Sequence, residues 1–149
     1  MCTFHVDDLL VGVDARRVQE VVRCQDLTPV PLAPRAVHGL MNLRGDIVTA
    51  IDLRTRLNLP PRGPGAAAMG VVLAPEYGLV SLIVDAAGDV LELDEERCEP
   101  PPGTLQGSSR ALVLGAYKLR DRLLVLLDVD RTINLGAEPE GQLEAGRTL

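Results

Sequence analysis

The chain has 149 residues, 46% of them hydrophobic, and only three aromatic side chains, Phe4, Tyr77 and Tyr117. That apolar content excludes disorder of the whole chain and suffices for one globular domain or two small subdomains without disulfide or metal support. Fourteen arginines and one lysine, Lys118, stand against 21 carboxylates for a net charge of −6, which together with the lack of stacking rings argues against nucleic acid or an anionic membrane surface as a partner.

In chain order, short apolar runs closed by Gly, Pro and Asp predict strands rather than helices. His5 sits in a strand-like run near the N-terminus. Further strands are predicted at 9–13, 18–22, 46–53, 70–73, 78–84, 90–93, 111–119 and 122–129. Three short helical segments are expected as connectors: a single turn at 15–18, a helix at 34–40 after Pro34, and one at 53–59 on the Leu53, Leu57 spacing. The TPVPLAP segment, 28–34, is expected to run extended as a surface strap, because each proline pushes its predecessor out of the helical region. Many short strands predict an all-β fold of barrels or a sandwich.

The two halves of the chain repeat faintly. Residues 44–59 (RGDIVTAIDLRTRLNL) align without a gap on 120–135 (RDRLLVLLDVDRTINL), matching Arg44 with Arg120, Asp52 with Asp128 and Asn58 with Asn134. Upstream, Val13-Asp14-Ala15 answers Val84-Asp85-Ala86 and, after a one-residue slip, Val18-Gln19-Glu20 answers Val90-Leu91-Glu92. Two similar β units are therefore expected. PPRGPG at 60–65 should end the first, PPPG at 100–103 should be an extended bridge in the second, and 136–149 reads as a loose polar tail.

Chemistry is sparse. His5 and His38 read as surface or packing residues, and Cys2, His5 and Asp7 lack metal-ligand spacing. Cys2, Cys24 and Cys98 are odd in number and form no CxxC, which points to a reducing, cytoplasmic setting. No GxGxxG or phosphate loop occurs, and Glu95-Glu96 and Asp128 with Asp130 read as turn and edge residues. The longest apolar stretch, 65–75, is far short of the roughly 20 residues a spanning helix needs, and Asp7 and Asp8 stand where a signal peptide carries bases. One arginine stands out. Asn42 and Gly45 frame Arg44 just before an apolar strand, so Arg44 should project from a tight turn, able to pair with a carboxylate; Glu20, among Val18, Val21 and Val22, is the expected partner.

The blocks VGVDARRVQEVV, LTPVPLAP, VHGLMNLRGDIVTAIDLRTRL, LIVDAAGDVLELDEERCEPPP and LVLGAYKLRDRLLVLLDVDRTI, in that order, resemble the CheW family, the coupling proteins of bacterial chemotaxis, from about Thr3 to Leu135. The resemblance implies two five-stranded Src-homology-3-like barrels around a shared apolar core, with residues 1–135 as a CheW-like domain and 136–149 as its tail. It implies an adaptor without catalysis or cofactor, which holds the hairpin tip of chemoreceptors in a groove between the barrels. It also implies binding of the regulatory domain of the histidine kinase CheA and assembly with other CheW-like domains in an array. Receptor-side positions carried over are Val18, Glu20, Gly39 and Arg44, with Asn42 and Gly45 shaping the turn; Val13 and Val21 are carried over for the kinase. The implied location is the cytoplasm, at membrane receptor arrays without direct membrane contact. Two other readings stand beside this one: a scaffold for gliding, pili or development, and a thiol-dependent redox sensor using Cys24 or Cys98, which requires a lowered thiol pKa.

Overall fold

The computed structural model describes residues 1–103, 105 and 107–135; the tail expected at 136–149 lies outside the described residues. The chain opens with β1 (Cys2–Val6) and β2 (Leu9–Val13), a 3-10 turn (Ala15–Arg17) and β3 (Val18–Arg23). Then come β4 (Val37–Leu43), β5 (Asp46–Asp52), a short helix α1 (Leu53–Arg56), β6 (Met69–Leu73), a 3-10 turn (Pro75–Tyr77) and β7 (Val80–Val84). The chain continues through β8 (Ala86–Val90), a 3-10 turn (Glu95–Arg97), α2 (Gly107–Ala111), β9 (Val113–Lys118), β10 (Leu123–Leu127) and α3 (Val129–Ile133).

The strands form two five-stranded sheets, ordered β8-β1-β2-β10-β9 and β3-β6-β7-β5-β4. Each fits a Src-homology-3-like barrel, so the predicted all-β class and barrel pair are what the chain adopts. The internal repeat is exact at the level of topology: each strand of β1–β5 takes the place of the strand five later. The division into halves is not what the linkers predicted. One sheet is drawn from the middle of the chain, β3–β7; the other combines β1 and β2 with β8–β10 from the far end. PPRGPG at 60–65 therefore joins α1 to β6 inside the middle sheet and ends no unit. The two halves have exchanged β3–β5 for β8–β10, and the chain crosses between the barrels at Asp14–Arg17 and at Asp85.

Four local expectations are corrected. Residues 37–40 are not helical: Pro34 belongs to a turn closed by the Val37 amide on its carbonyl (2.9 Å), and β4 begins directly after it. Alternate positions of β4, Gly39 and Met41, are buried, and pairing with β5 supplies hydrogen bonds that outweigh the helix-start signal. The strand expected at 90–93 lies earlier, at Ala86–Val90, because it is set by pairing with β1 rather than by its own apolar content. In register, Cys2 faces Val90 as Met69 faces Arg23, so Val90 answers Arg23 and not Val18. The strap pairs at Thr28 with Leu40 and then turns at Leu32 (φ 63°), rather than staying extended to Pro34. The helix at 53–59 forms only over Leu53–Arg56.

The largest core cluster takes side chains from both sheets, among them Val6, Val11 and Leu127 from one and Ile51, Leu82 and Val84 from the other. Full burial of such a side chain contributes about 1.5–3 kcal/mol, and neither sheet can collect it without its neighbour. The outer edges of β4 and β9 are covered at matching positions, by Thr28 on Leu40 and by Glu99 on Ala116. Glycine makes this crossing possible. A Cβ on Gly39 would lie 2.8 Å from the Thr28 carbonyl oxygen, and one on its repeat counterpart Gly115 would lie 2.6 Å from that of Glu99.

Candidate functional site

β4 and β5 are joined by a two-residue loop. Leu43 pairs with Asp46, and Arg44 (φ 50°) and Gly45 (φ 92°) both adopt positive φ, as a type I′ hairpin requires. The Asn42 carboxamide oxygen accepts from the Gly45 amide at 3.0 Å, which holds the loop shut. Arg44 therefore projects from the hairpin tip as expected, and its guanidinium donates to the Glu20 carboxylate on β3. Glu20 is half-buried beside Val72 of β6, whereas the Arg44 side chain is 65% exposed, so the pair has one fixed and one accessible member.

Arg44 lines a groove of about 380 Å³ together with Leu43, Val48, Leu73 and Leu79, with Gln19 and Asp46 as further polar members. Ile47 and Leu79 are each more than half exposed, and Leu79 lines this groove with Val48. Sequence reasoning missed these aliphatic side chains. The signal was present in the doubled Ile47-Val48, since one of two adjacent strand residues must face outward. Val18 begins β3 and is half-buried against the main core. Gly39 is buried two residues into β4, where the strap at Leu27 and Thr28 passes close to it. Val13 is 1% exposed within the core, whereas Val21, on the same strand as Glu20, is exposed.

A second polar cluster lies where the chain crosses between barrels. The Asp85 carboxylate accepts from Arg54 at 2.7 and 3.0 Å, from Arg62 at 3.0 Å and from the Asp7 amide at 2.7 Å. Burial alone would raise the Asp85 pKa, but the Arg54, Asp7 and Arg62 hydrogen bonds outweigh it and bring the value down to about 2. Asp52 caps α1 by accepting from the Arg54 amide at 3.1 Å, and Asp128 caps α3 in the same way from the Arg131 amide at 3.0 Å. The repeat thus preserves a helix cap at each barrel. Burial pushes the Cys24 thiol pKa up, contrary to the lowered value a reactive thiol needs. Among the described residues, no group of three or more His, Cys, Asp or Glu is placed to hold a metal ion, and no helix is long and apolar enough to cross a membrane.

Comparison with known proteins places this arrangement. The CheW-like domain model matches residues 1–136. A chemotaxis protein CheW of Treponema pallidum is 30% identical over 135 residues, spanning 88% of this chain and 79% of the relative. One from Bacillus subtilis is 29% identical over 134 residues, spanning 90% and 86%. The crystal structure of a scaffolding protein CheW from Thermoanaerobacter tengcongensis superposes with a TM-score of 0.74 at 32% identity, covering 85% of this chain and 86% of that one. With the paired barrels and a full-length family match in agreement, the chain belongs to the CheW family of chemotaxis adaptor and scaffold proteins.

Proposed function

We propose that this protein couples the cytoplasmic hairpin tips of chemoreceptors to the histidine kinase CheA, working as a scaffold with no chemical step of its own. The observation that carries this reading is Arg44, paired with Glu20 and lining a groove with Leu43, Val48, Leu73 and Leu79. An apolar stripe of a receptor helix fits such a groove, and a charge-assisted hydrogen bond from Arg44 fixes the helix direction. Val18, Glu20, Asn42, Arg44 and Gly45 form or shape the receptor side, and Gly39 supports it from within. The regulatory domain of CheA meets exposed apolar ends of the barrels, with Val21 in that contact. Residues 1–135 form the working domain. The protein acts in the cytoplasm, is recruited to membrane-bound receptor arrays, and meets other CheW-like domains there. Individual contacts of this size are weak, and repetition in an array makes them intramolecular once neighbours are held.

The test is a reconstituted assay of receptor, kinase and adaptor. Arg44→Ala should remove most receptor-dependent kinase activation, and Arg44→Glu all of it, with unchanged circular dichroism and unfolding midpoint, because the Arg44 side chain is mostly exposed. A folded Arg44→Glu protein that couples normally overturns the assignment.

A further inference from the structure

The internal repeat places two equivalent junctions where the chain crosses between barrels, and their charges are reversed. At the return crossover an anion is central: Asp85 binds Arg54 of α1 on the middle sheet and the Asp7 amide in the β1–β2 turn of the other sheet. At the outgoing crossover a cation is central. The Arg17 guanidinium donates to the Tyr77 hydroxyl, which precedes β7 of the middle sheet, and lies 3.7 Å from Asp130 of α3 on the other sheet. Arg54 and Asp130 occupy matching positions of the repeat, two residues beyond the capping aspartates Asp52 and Asp128. Each junction therefore ties a short helix of one barrel to a turn of the other through a single side chain at the crossover.

The two differ in how firmly they are held. Arg54 and Asp85 are 14% and 22% exposed and share Arg62 as a third member, 9% exposed. Arg17 and Asp130 are 42% and 72% exposed, so solvent screens their attraction; beyond it, the Arg17 side chain has the Tyr77 hydroxyl and ring, the ring centroid 5.8 Å from the guanidinium carbon. Val18 follows Arg17 directly and opens the strand that carries Glu20.

We propose that Arg17 is a positioning residue: its bridge from Tyr77 to Asp130 sets the angle between the barrels, with the Asp85 junction as the pivot. The buried junction holds the barrels together on one side. The exposed one sets how far they close on the side where β3 begins, and hence where Val18 and Glu20 stand relative to the other barrel. The link to partner binding rests on the receptor-docking reading above, whereas the barrel angle does not.

Amide residual dipolar couplings on the isotope-labelled full chain test the angle without any partner. In the parent protein one alignment tensor should fit both sheets. In Arg17→Ala, and in Tyr77→Phe, which keeps the ring but removes the acceptor, the two sheets should need separate tensors, with reduced order in one; Arg17→Lys should fall between parent and Arg17→Ala. A single tensor fitting both sheets in Arg17→Ala and in Tyr77→Phe as well as in the parent overturns the proposal, whatever the partner experiments show. Given separate tensors, a receptor tip fragment should bind Arg17→Ala about tenfold more weakly, since a smaller fraction of the protein has the competent spacing. Unchanged affinity there would break the link to docking and leave the barrel hinge standing.

Discussion

Arg44 is held at φ 50°, a backbone region that costs a branched or bulky residue on the order of 1–3 kcal/mol, at a hairpin position where asparagine or glycine is the usual occupant. The strain is not relieved by burial, because the side chain points to solvent and to Glu20. A long cation kept in that conformation is what a docking role predicts and what stability alone would remove. Gly39 shows the opposite logic: it has no side chain to offer, and its value lies in the space it leaves. Gly39→Ala should destabilise the fold by about 1–3 kcal/mol, read as a lowered urea midpoint, because the new methyl meets backbone of Thr28 rather than a side chain that can turn away. Coupling activity should fall with it through displacement of the strap. The turn around Arg44 was legible in Asn42-Leu43-Arg44-Gly45, since positive φ at a tight hairpin has few sequence solutions. Gly39 was singled out through family resemblance, yet its physical reason, the close approach of residue 28, has no local signature.

At the scale of elements, the helices are only a turn or so long and owe their existence to capping and packing rather than propensity. Asp52 and Asp128 are equivalent caps in different settings. Asp128 serves α3, with Arg131 the only side chain paired to its carboxylate among the described contacts, whereas Asp52 also receives Arg62 at 3.4 Å. Asp128→Ala should therefore cost about 1 kcal/mol, the ordinary value of an N-cap. Asp52→Ala should cost more, since it also leaves Arg62, only 9% exposed, short of a partner. Chemical denaturation of the two variants side by side measures the difference. Strands with an alternating or fully apolar core pattern, such as β2, were legible in sequence at their true boundaries. β8 was not, because Ala-Ala-Gly-Asp-Val carries little strand preference and is recruited by β1 through backbone pairing alone. The segment after Pro34 misled for a related reason: a proline that can open a helix can equally end a turn, and only the partner strand decides.

At the scale of the molecule, the Asp85 junction makes stability depend on acid. Its pKa in the folded protein is lowered from 3.8 to about 2, so the unfolded chain takes up the proton first as pH falls. The stabilisation is fully present above about pH 4 and is lost as the pH drops towards 2. Asp85→Asn should lower stability at neutral pH and flatten the dependence of the unfolding midpoint between pH 4 and pH 2, measured by calorimetry across that range. A parent-like slope in the variant would assign the acid sensitivity elsewhere. The repeat foretold two similar barrels, and it also contained their helix caps. The exchange of strands lay outside its reach, because a repeat read along the chain states which segments are alike and not which of them lie side by side. The ion pairs at the crossovers were equally hidden: Arg54 and Asp85 are far apart in sequence and meet only once both barrels exist.

The exchanged strands impose an order on biosynthesis. The middle sheet is continuous in the chain, from Val18 to Val84, so a nascent polypeptide can complete it while later residues are still unmade. The β1–β2 hairpin has no such freedom: its flanking partners, β8 and β10, leave the ribosome only after the whole middle sheet, and until then both of its edges and the apolar faces of Val6 and Val11 stand open. A hairpin made before the middle sheet is thus sheltered only after it, and that interval is where a chaperone would have something to hold.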